Sequence, residues 1–324
     1  MKKLTKLLVV SLASLTLVAC RSNTDSSSNS ISESKKTVKV GILQYMEHVS
    51  LSAARKGFEE ELKAEGYKEG KNLKLDYQNA QGDQSNLQTI SEQLAKDNDL
   101  ILAIATPAAQ ALATATSEKP IVFTAVTDPL SADLVNSIKK PGGNLTGTSD
   151  QAPIGKQVKL LGEALPKAKK VGILYTTSER NSEVQVKKAE SLLKKAGYEV
   201  VKKGISSTND VQDAANSLMK ETDAVFVPTD NTVASTMTMI GQLSVQNKVP
   251  VIGGSTDMVD AGGLLTYGTN YKELGKQVGK MAVKILKGAD PAKLSVEYPK
   301  TVSLHVNKEM ASKLGIDVSN LSDK

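Results

Sequence analysis

Lys170–Thr177 reads Lys-Val-Gly-Ile-Leu-Tyr-Thr-Thr, and its first five residues repeat those of Lys39–Leu43, 131 positions earlier. The correspondence continues at the same offset, because Gly66-Tyr67 is matched by Gly197-Tyr198. Further on, Lys-Pro-Ile-Val at 119–122 is matched by Val-Pro-Val-Ile at 249–252. This period is too long for a solenoid repeat, so it predicts two whole domains that share one architecture.

Short apolar runs alternate with segments of helical periodicity in both halves of the chain. The predicted strands are 38–43, 72–77, 100–105, 120–126 and 145–148, then 171–175, 199–204, 224–228, 249–253 and 264–267. A short helix is expected around Ala132–Ile138 and a long one over about 270–287, followed by a strand at 302–306 and a short helix at 308–314. Strands that alternate with helices predict α/β lobes with parallel sheets covered on both faces. We therefore predict two doubly wound lobes joined by several crossovers.

The N-terminus has the pattern of an export signal. A basic start is followed by an apolar run from Leu7 to Ala19, which is short for a membrane span and typical of a signal peptide. The run ends in Leu-Val-Ala-Cys at 17–20, and Cys20 is the only cysteine. This segment resembles a bacterial lipoprotein processing box, which implies cleavage before Cys20 and acylation of that residue. An ordinary secretory signal with a chance cysteine is the alternative.

These patterns divide the chain into five segments. Residues 1–19 are the predicted signal peptide, and 20–37 are the lipidated cysteine with a polar, flexible tether. Residues 38–148 form the first lobe and 149–267 the second. Residues 268–324 hold a crossover helix that returns to the first lobe, and a tail. Two or more acyl chains would anchor the protein stably, so we expect an extracytoplasmic, membrane-anchored location.

Composition argues against several classes of function. The net charge of +6 includes Lys2, Lys3 and Lys6 of the leader, which leaves too little positive charge for a nucleic-acid-binding surface. His48 and His305 are the only histidines, and they lack the spacing of a metal site. No Gly-x-Ser-x-Gly, phosphate-binding or dinucleotide motif follows a predicted strand. We expect no metal, no cofactor and no catalysis, and a lipid-anchored hydrolase is the weaker alternative.

Polar residues cluster where the predicted strands end, which is where doubly wound sheets bind ligands. Hydroxyl groups beside helix N-termini suit a carboxylate, and carboxylates such as Asp128, Asp230 and Asp257 suit an ammonium group. Together they predict a cleft for a zwitterion. Each residue alone could equally be a helix cap or a turn former.

Aromatic residues are scarce in this chain, yet three tyrosines stand at predicted strand ends. They are Tyr45, Tyr175 and Tyr267, and they could stack on a flat ligand. A place at the edge of the core is the alternative for each.

Five motifs resemble those of one protein family. They are Val-Gly-Ile-Leu-Gln (40–44), Ile-Ala-Thr-Pro-Ala-Ala (104–109), Phe-Thr-Ala-Val-Thr-Asp-Pro (123–129), Pro-Gly-Gly-Asn-Leu-Thr-Gly-Thr-Ser (141–149) and Pro-Thr-Asp-Asn (228–231). The family is that of the tryptophan- or tyrosine-binding lipoproteins of ABC transporters, and the resemblance covers about residues 38–316. It implies a type I periplasmic-binding-protein fold.

The resemblance also implies a function for the cleft. The protein would act as a monomer, bind an aromatic amino acid (L-tryptophan first, then phenylalanine or tyrosine) by hinge closure, and deliver it to a permease. A sugar, a nucleoside or a branched amino acid remains the alternative ligand. The candidate ligand-binding residues are Tyr45, His48, Thr106, Pro107, Ala108, Asp128, Ser149, Tyr175, Ser178, Asn181, Asp230, Asn231, Ser255 and Tyr267.

Overall fold

The computed structural model describes residues 37–322, which belong to one compact unit. The predicted signal peptide, Cys20 and the tether up to residue 36 lie outside the described residues. Within 37–322, no helix combines the length and the apolarity that crossing a bilayer requires.

Helices and strands alternate along the chain in both halves. The strands are β1 (Val38–Gln44), β2 (Leu73–Asn79), β3 (Leu100–Ile104), β4 (Ile121–Val126), β5 (Leu145–Ser149), β6 (Lys170–Thr176), β7 (Glu199–Ile205), β8 (Ala224–Phe226), β9 (Val251–Ile252), β10 (Leu265–Thr269) and β11 (Val302–Val306). The α-helices are α1 (Val49–Ala64), α2 (Gln84–Asp97), α3 (Thr106–Ala115), α4 (Ile154–Ala164), α5 (Arg180–Lys195), α6 (Val211–Met219), α7 (Asn231–Ala234), α8 (Met237–Asn247), α9 (Thr256–Asp260), α10 (Tyr271–Leu286) and α11 (Lys308–Leu314).

The strands form two sheets of matching topology. The first sheet has the order β2-β1-β3-β4-β5, and all its strand pairs are parallel. The second has the order β11-β10-β9-β8-β6-β7, which repeats the first and adds β11 antiparallel to β10. The predicted duplication and the predicted α/β class are both confirmed.

Local details repeat between the two lobes. Helices α1 and α5 each end at a glycine in the left-handed region, with φ of +92° at Gly66 and +91° at Gly197. This conformation is cheap only for glycine, and it explains why Gly-Tyr recurs in both copies. An aspartate also braces the first strand of each lobe, because the Lys39 N–H donates to Asp99 and the Lys170 N–H donates to Asp223, both at a distance of 2.9 Å.

The chain crosses between the lobes three times in the described region. It passes from β5 to α4, whose apolar face packs in the core of the second lobe, and returns from β10 to α10. Helix α10 packs in the core of the first lobe, and the chain then crosses again to β11. These crossings correspond to the predicted type I periplasmic-binding-protein architecture.

Helices α1 and α10 pack unusually closely, because glycines stand at their contact. A Cβ atom added to Gly275 would lie 1.9 Å from the Ala54 carbonyl oxygen, and one added to Gly57 would lie 2.0 Å from that of Lys272. Helix α1 is therefore held against the helix that follows the second crossover.

One local prediction was wrong, and one helix was missed. The segment around Ala132–Ile138 forms turns, with Asp133 in the left-handed conformation at φ +58°, so no helix can propagate there. Helix α4 was not predicted, although Ile154, Val158 and Leu161 have helical spacing and are buried. Its apolar face reaches the core of the second lobe only because the chain crosses over just before it.

Candidate functional site

A cavity lies between the lobes, where the carboxyl ends of the two sheets face each other. Only about 10 Å³ of its space is free for the centre of a water-sized sphere, so the closed cavity is almost filled by its own side chains. Of the predicted ligand-binding residues, the structure brings five to its wall: His48, Asn181, Asp230, Asn231 and Ser255. Eight further residues complete the lining: Ser50, Leu51, Ala125, Asp150, Thr229, Ala234, Met258 and Tyr271.

Side-chain contacts across the cavity hold the lobes together. His48 Nε2 lies 3.2 Å from Asn231 Oδ1, and the hydroxyl oxygens of Ser50 and Ser255 are 3.4 Å apart. Nearer the crossovers, the hydroxyls of Thr127 and Thr229 are 3.3 Å apart. Each pair joins a first-lobe residue to a second-lobe residue, so this is a closed arrangement of the cleft.

Asp230 is a structural carboxylate of the second lobe. Its oxygens accept from the N–H of Thr176 at 2.5 Å, the hydroxyl of Thr176 at 2.8 Å and the N–H of Val233 at 2.9 Å. Burial, together with the negative charge of Glu179, raises the pKa of Asp230 to about 7. These bonds cap α7 and join it to the end of β6, so the capping interpretation of this residue describes what its carboxylate does.

Glu179 was missed by sequence reasoning and holds the same wall. This buried carboxylate accepts from the N–H groups of Asn231 at 3.0 Å and Thr232 at 2.9 Å, which caps α7 from outside its own segment. It also accepts from the side-chain amide of Asn181 at 3.0 Å. An acidic residue directly before a predicted helix was the available signal, but its partners on α7 lie more than 50 residues away.

Asp150 also lines the cavity, and it lies on the first crossover, directly after β5. It accepts hydrogen bonds from the hydroxyls of Tyr271 at 2.5 Å and Thr127 at 3.1 Å. Burial raises the pKa of Asp150, and the two hydroxyl donors oppose that shift by favouring its charged form. Each oxygen keeps a further lone pair, so Asp150 can accept from a ligand.

The first lobe offers backbone donors where α1 and α3 begin. Among the described residues, no side chain caps α1 or α3, so the first N–H groups of both helices have no partner of that kind. Thr106 begins α3, and its buried hydroxyl oxygen has no hydrogen-bond partner in the region 37–322. Pro107 and Ala108 complete the first turn of α3, and like Thr106 they are not among the residues that line the cavity.

The backbone is strained in the same part of the first lobe. Ala105 and Ala125 directly precede Thr106 and the end of β4, and their φ angles are +83° and +55°. Non-glycine residues in this region cost about 1–3 kcal/mol, and such strain concentrates at ligand-binding sites. Ala125 lines the cavity itself.

His48 and Tyr45 reach the second lobe from the first. Burial lowers the pKa of His48, which opposes the weaker raising effects of Asn231, Glu179 and Glu47. Tyr45 is buried and lies within hydrogen-bonding reach of Thr232. Burial raises the pKa of Tyr45, and the nearby negative charges of Glu179 and Asp230 add to the shift. Tyr45 therefore lies beside the capped start of α7, and it is not among the residues that line the cavity.

Two of the predicted tyrosines are placed away from the cavity. Tyr267 packs in the core of the second lobe, its hydroxyl donates to the Ser322 carbonyl at 3.3 Å, and the Lys156 ammonium lies 5.1 Å from its ring centre. Tyr175 lies over β7, with its ring 3.6 Å from where a Cβ of Gly204 would stand. The edge-of-core interpretation is the one that fits both.

Three polar residues of the predicted set also have other partners or lie outside the wall. Asp128 accepts from the N–H groups of Leu130 and Ser131, both at 3.1 Å, and so forms a turn. The Ser149 hydroxyl donates to the Thr127 carbonyl at 2.9 Å and braces the crossover. Ser178 is exposed and does not line the cavity.

The described residues contain no group of three or more His, Cys, Asp or Glu side chains placed to hold a metal ion. The cavity combines carboxylate and amide acceptors with the uncapped start of α1 and the apolar side chains of Leu51, Ala234 and Met258.

Comparison with known proteins places this chain among transport proteins. It is 40% identical to a tyrosine-binding protein of Clostridioides difficile (strain R20291) over 99% of this chain and 94% of that protein. It is similar to the ABC domain from Streptococcus pneumonia in complex with L-Trp, with a TM-score of 0.85, 41% identity, and coverage of 88% of this chain and 97% of that one.

A third relative differs in the arrangement of its lobes. The ligand-free, open structure of a substrate-binding protein with adhesive properties from Clostridium difficile is 43% identical, with the same coverage, but its TM-score is 0.67. The arrangement of this chain is thus nearer to the L-Trp complex, as the contacts across the cavity require. The family described as ABC transporter substrate binding protein matches residues 39–322, and this chain belongs to that family.

Proposed function

We propose that this chain binds an aromatic amino acid outside the cytoplasm, with L-tryptophan as the first candidate, and delivers it to the permease of an ABC importer. The observation that carries the proposal is the distribution of charge around the closed cavity. Uncapped helix N-termini stand on the first lobe, whereas Asp150 stands at the crossover. A zwitterion satisfies both sides at once.

The α-carboxylate of the ligand binds at the start of α3. There the first-turn N–H groups lie next to the unpartnered Thr106 hydroxyl, just beyond the residues that line the closed cavity, and a helix N-terminus favours an anion by its dipole. The α-ammonium group binds Asp150, whose carboxylate is already oriented by Tyr271 and Thr127. A charged donor on a buried carboxylate is worth more than a neutral hydrogen bond.

The ring of the ligand occupies the apolar part of the cavity. Leu51, Ala234 and Met258 come from α1, α7 and α9. A methionine adapts to the shape of a ring and makes favourable contacts between its sulfur and an aromatic face. The similarity to a tyrosine-binding protein and to an L-Trp complex supports the same ligand class.

We also propose that the protein acts without catalysis, as a monomer, and anchored by lipid on Cys20. The lone cysteine at the end of an apolar leader supports the anchor. Mass spectrometry of the membrane-extracted protein checks it, because cleavage before Cys20 and acylation change the mass of the first peptide. A Cys20→Ala variant that stayed in the membrane fraction would contradict it.

Isothermal titration tests the ligand. The chain from residue 21 onward is unfolded and refolded to remove any co-purified ligand, then titrated with L-tryptophan, L-tyrosine, L-phenylalanine, L-leucine, a hexose and a nucleoside. Micromolar or tighter binding of an aromatic amino acid supports the proposal. Binding of the hexose, the nucleoside or leucine, without any of the three aromatic amino acids, would overturn it.

A further inference from the structure

We propose that Glu179 is a positioning residue that orients the side-chain amide of Asn181, so that its oxygen accepts a hydrogen bond from the α-ammonium group of the ligand. The inference rests on the proposed function, since it assigns a partner to one group of an amino acid. Asn181 itself is the residue that touches the ligand, and Glu179 acts through it.

The first step is the chemistry of Glu179. A carboxylate can only accept hydrogen bonds, whereas an asparagine amide has one accepting and one donating end. One oxygen of Glu179, Oε2, accepts from Asn181 Nδ2 at 3.0 Å and from Asn231 Nδ2 at 2.5 Å. Both amides must therefore turn their nitrogen to Glu179 and their oxygen away from it.

The second step is where those oxygens point. Asn231 Oδ1 meets His48 Nε2 across the cleft, which is one of the contacts of the closed state. Asn181 Oδ1 is buried and has no hydrogen-bond partner among the described residues, although Asn181 lines the cavity. A buried acceptor without a partner costs about 1–3 kcal/mol, so a donor from the ligand is favoured there.

The third step is which donor of the ligand reaches it. The apolar residues Leu51, Ala234 and Met258 stand on α1, α7 and α9, whereas Asn181 begins α5. The Asn181 amide also donates to the Thr229 carbonyl at 3.0 Å. The Thr229 hydroxyl is within hydrogen-bonding distance of the Thr127 hydroxyl, which in turn donates to Asp150. Asn181 is therefore linked by hydrogen bonds to the carboxylate that is proposed to bind the ammonium group.

Glu179 is rigid enough for this role. It is only 1% exposed, and its second oxygen, Oε1, accepts from the N–H of Thr232 at 2.9 Å and from its hydroxyl at 2.8 Å. Four backbone and side-chain donors of α7 thus hold the carboxylate, and the amide of Asn181 is the fifth. The direction of the Asn181 oxygen is set before a ligand arrives.

The test compares a ligand with its analogue that lacks the α-amino group. L-tryptophan is paired with indole-3-propionic acid, and L-tyrosine with desaminotyrosine. In Glu179→Ala, water fills the space and can donate or accept, so of these two acceptors only the Thr229 carbonyl still holds the Asn181 amide in its direction. We expect the affinity for the amino acid to fall at least about tenfold and that for the analogue to change less than about threefold, because only the amino acid uses the acceptor.

Two further variants complete the design. Glu183→Ala changes an exposed acid in the first turn of the same helix and should leave both affinities unchanged. Asn181→Leu removes the acceptor while Glu179 stays, and it should lower the preference for the amino acid even if Glu179→Ala fails to fold.

The outcomes separate this inference from the proposed function. Equal weakening of the amino acid and its analogue by Glu179→Ala and Asn181→Leu would overturn the inference, because a merely structural role weakens both. A wild-type protein that binds both members of a pair equally would overturn it, together with the ammonium contact proposed for Asp150, but would leave the aromatic ligand class standing. A wild-type protein that binds neither amino acid would overturn both.

Discussion

The hydroxyl of Tyr271 donates a hydrogen bond of 2.5 Å to the carboxylate of Asp150, which stands 121 positions earlier in the chain. Asp150 directly follows the last strand of the first lobe, and Tyr271 is the first residue of the helix that returns from the second lobe. Two of the three crossovers are thus joined at the edge of the cavity by one bond between buried groups. Burial raises the pKa of Tyr271 well above its usual range, and the charge of Asp150 adds to this, so Tyr271 remains a donor.

Removing this donor should destabilise the protein. Tyr271→Phe keeps the ring but leaves an oxygen of a buried carboxylate without its partner, which costs about 1–3 kcal/mol. We expect a lower free energy of unfolding in urea. Tyr298→Phe, at a tyrosine that is 45% exposed, is the control and should have little effect. Equal stability of the two variants would argue against the role assigned to this bond.

Asp150 should matter more for binding than Asp128. Asp150→Asn keeps the shape but removes the charge that meets the ligand's ammonium group, so we expect about a tenfold to hundredfold loss of affinity, the worth of a hydrogen bond to a charged group. Asp128→Asn should change the affinity little, because Asp128 forms a turn outside the cavity wall. Calorimetric titration of both variants with L-tryptophan measures the difference. The opposite ranking would favour the sequence-based prediction for Asp128.

Ligand affinity should weaken as the pH falls. Closure buries His48 and lowers its pKa below the ordinary value of 6.5, so the closed state binds fewer protons than an open state in which His48 is solvated. Closure is therefore fully favoured above pH 6.5 and is progressively opposed below it. Titrations at pH 8, 6 and 5 should show the loss.

The two histidines provide the comparison. His48→Gln keeps a donor for Asn231 but cannot titrate, so the pH dependence should flatten. His305, which pairs with Asp260 at 2.6 Å and lies outside the cavity wall, serves as the control, and His305→Gln should keep the dependence. If the affinity of His48→Gln still falls with pH, the buried carboxylates rather than His48 cause the pH dependence.

The close contact of α1 and α10 should tolerate no side chain. In Gly275→Ala the new Cβ would meet the Ala54 carbonyl oxygen at 1.9 Å, and overpacking of this kind typically costs about 1–3 kcal/mol or more. Gly155 is also a helical glycine, but no atom of the described residues lies within 4 Å of its added Cβ. We expect Gly155→Ala to be neutral or to stabilise by up to about 1 kcal/mol, since alanine favours a helix. Scanning calorimetry should separate the two variants by opposite shifts in Tm.

The architecture was predictable because its signals are local. Buried parallel strands such as β3 and β6 are continuous apolar runs, and the repeated Gly-Tyr after α1 and α5 marks a left-handed helix end in each lobe. Such features depend on a few neighbouring residues, so they survive into the folded chain. Helix α4 shows where local signals are insufficient. Its apolar face was visible in the sequence, but the lobe against which that face packs was not.

The candidate site was predictable in place but not in detail. Strand ends correctly indicated where the cavity lies, and His48 and Asn231 meet across it. The direction of a side chain at a strand end depends on the face of the sheet to which it belongs. Tyr267 belongs to the face that packs in the core of the second lobe. Glu179 could not be recognised as a positioning residue, because the groups that give it this role include the start of α7, over 50 residues away.

The sequence by itself determined the α/β class, the duplication, the position of most helices and strands, and the edge of each sheet where the cavity lies. Backbone geometry repeats over 2 or 3.6 residues, so a local pattern of apolar residues is sufficient to specify these features. Only the tertiary structure decided which polar residues face the cavity and which cap helices. Those roles depend on how the crossovers bring Asp150 to Tyr271 and how closure brings His48 to Asn231, and such contacts form between groups that are distant in sequence.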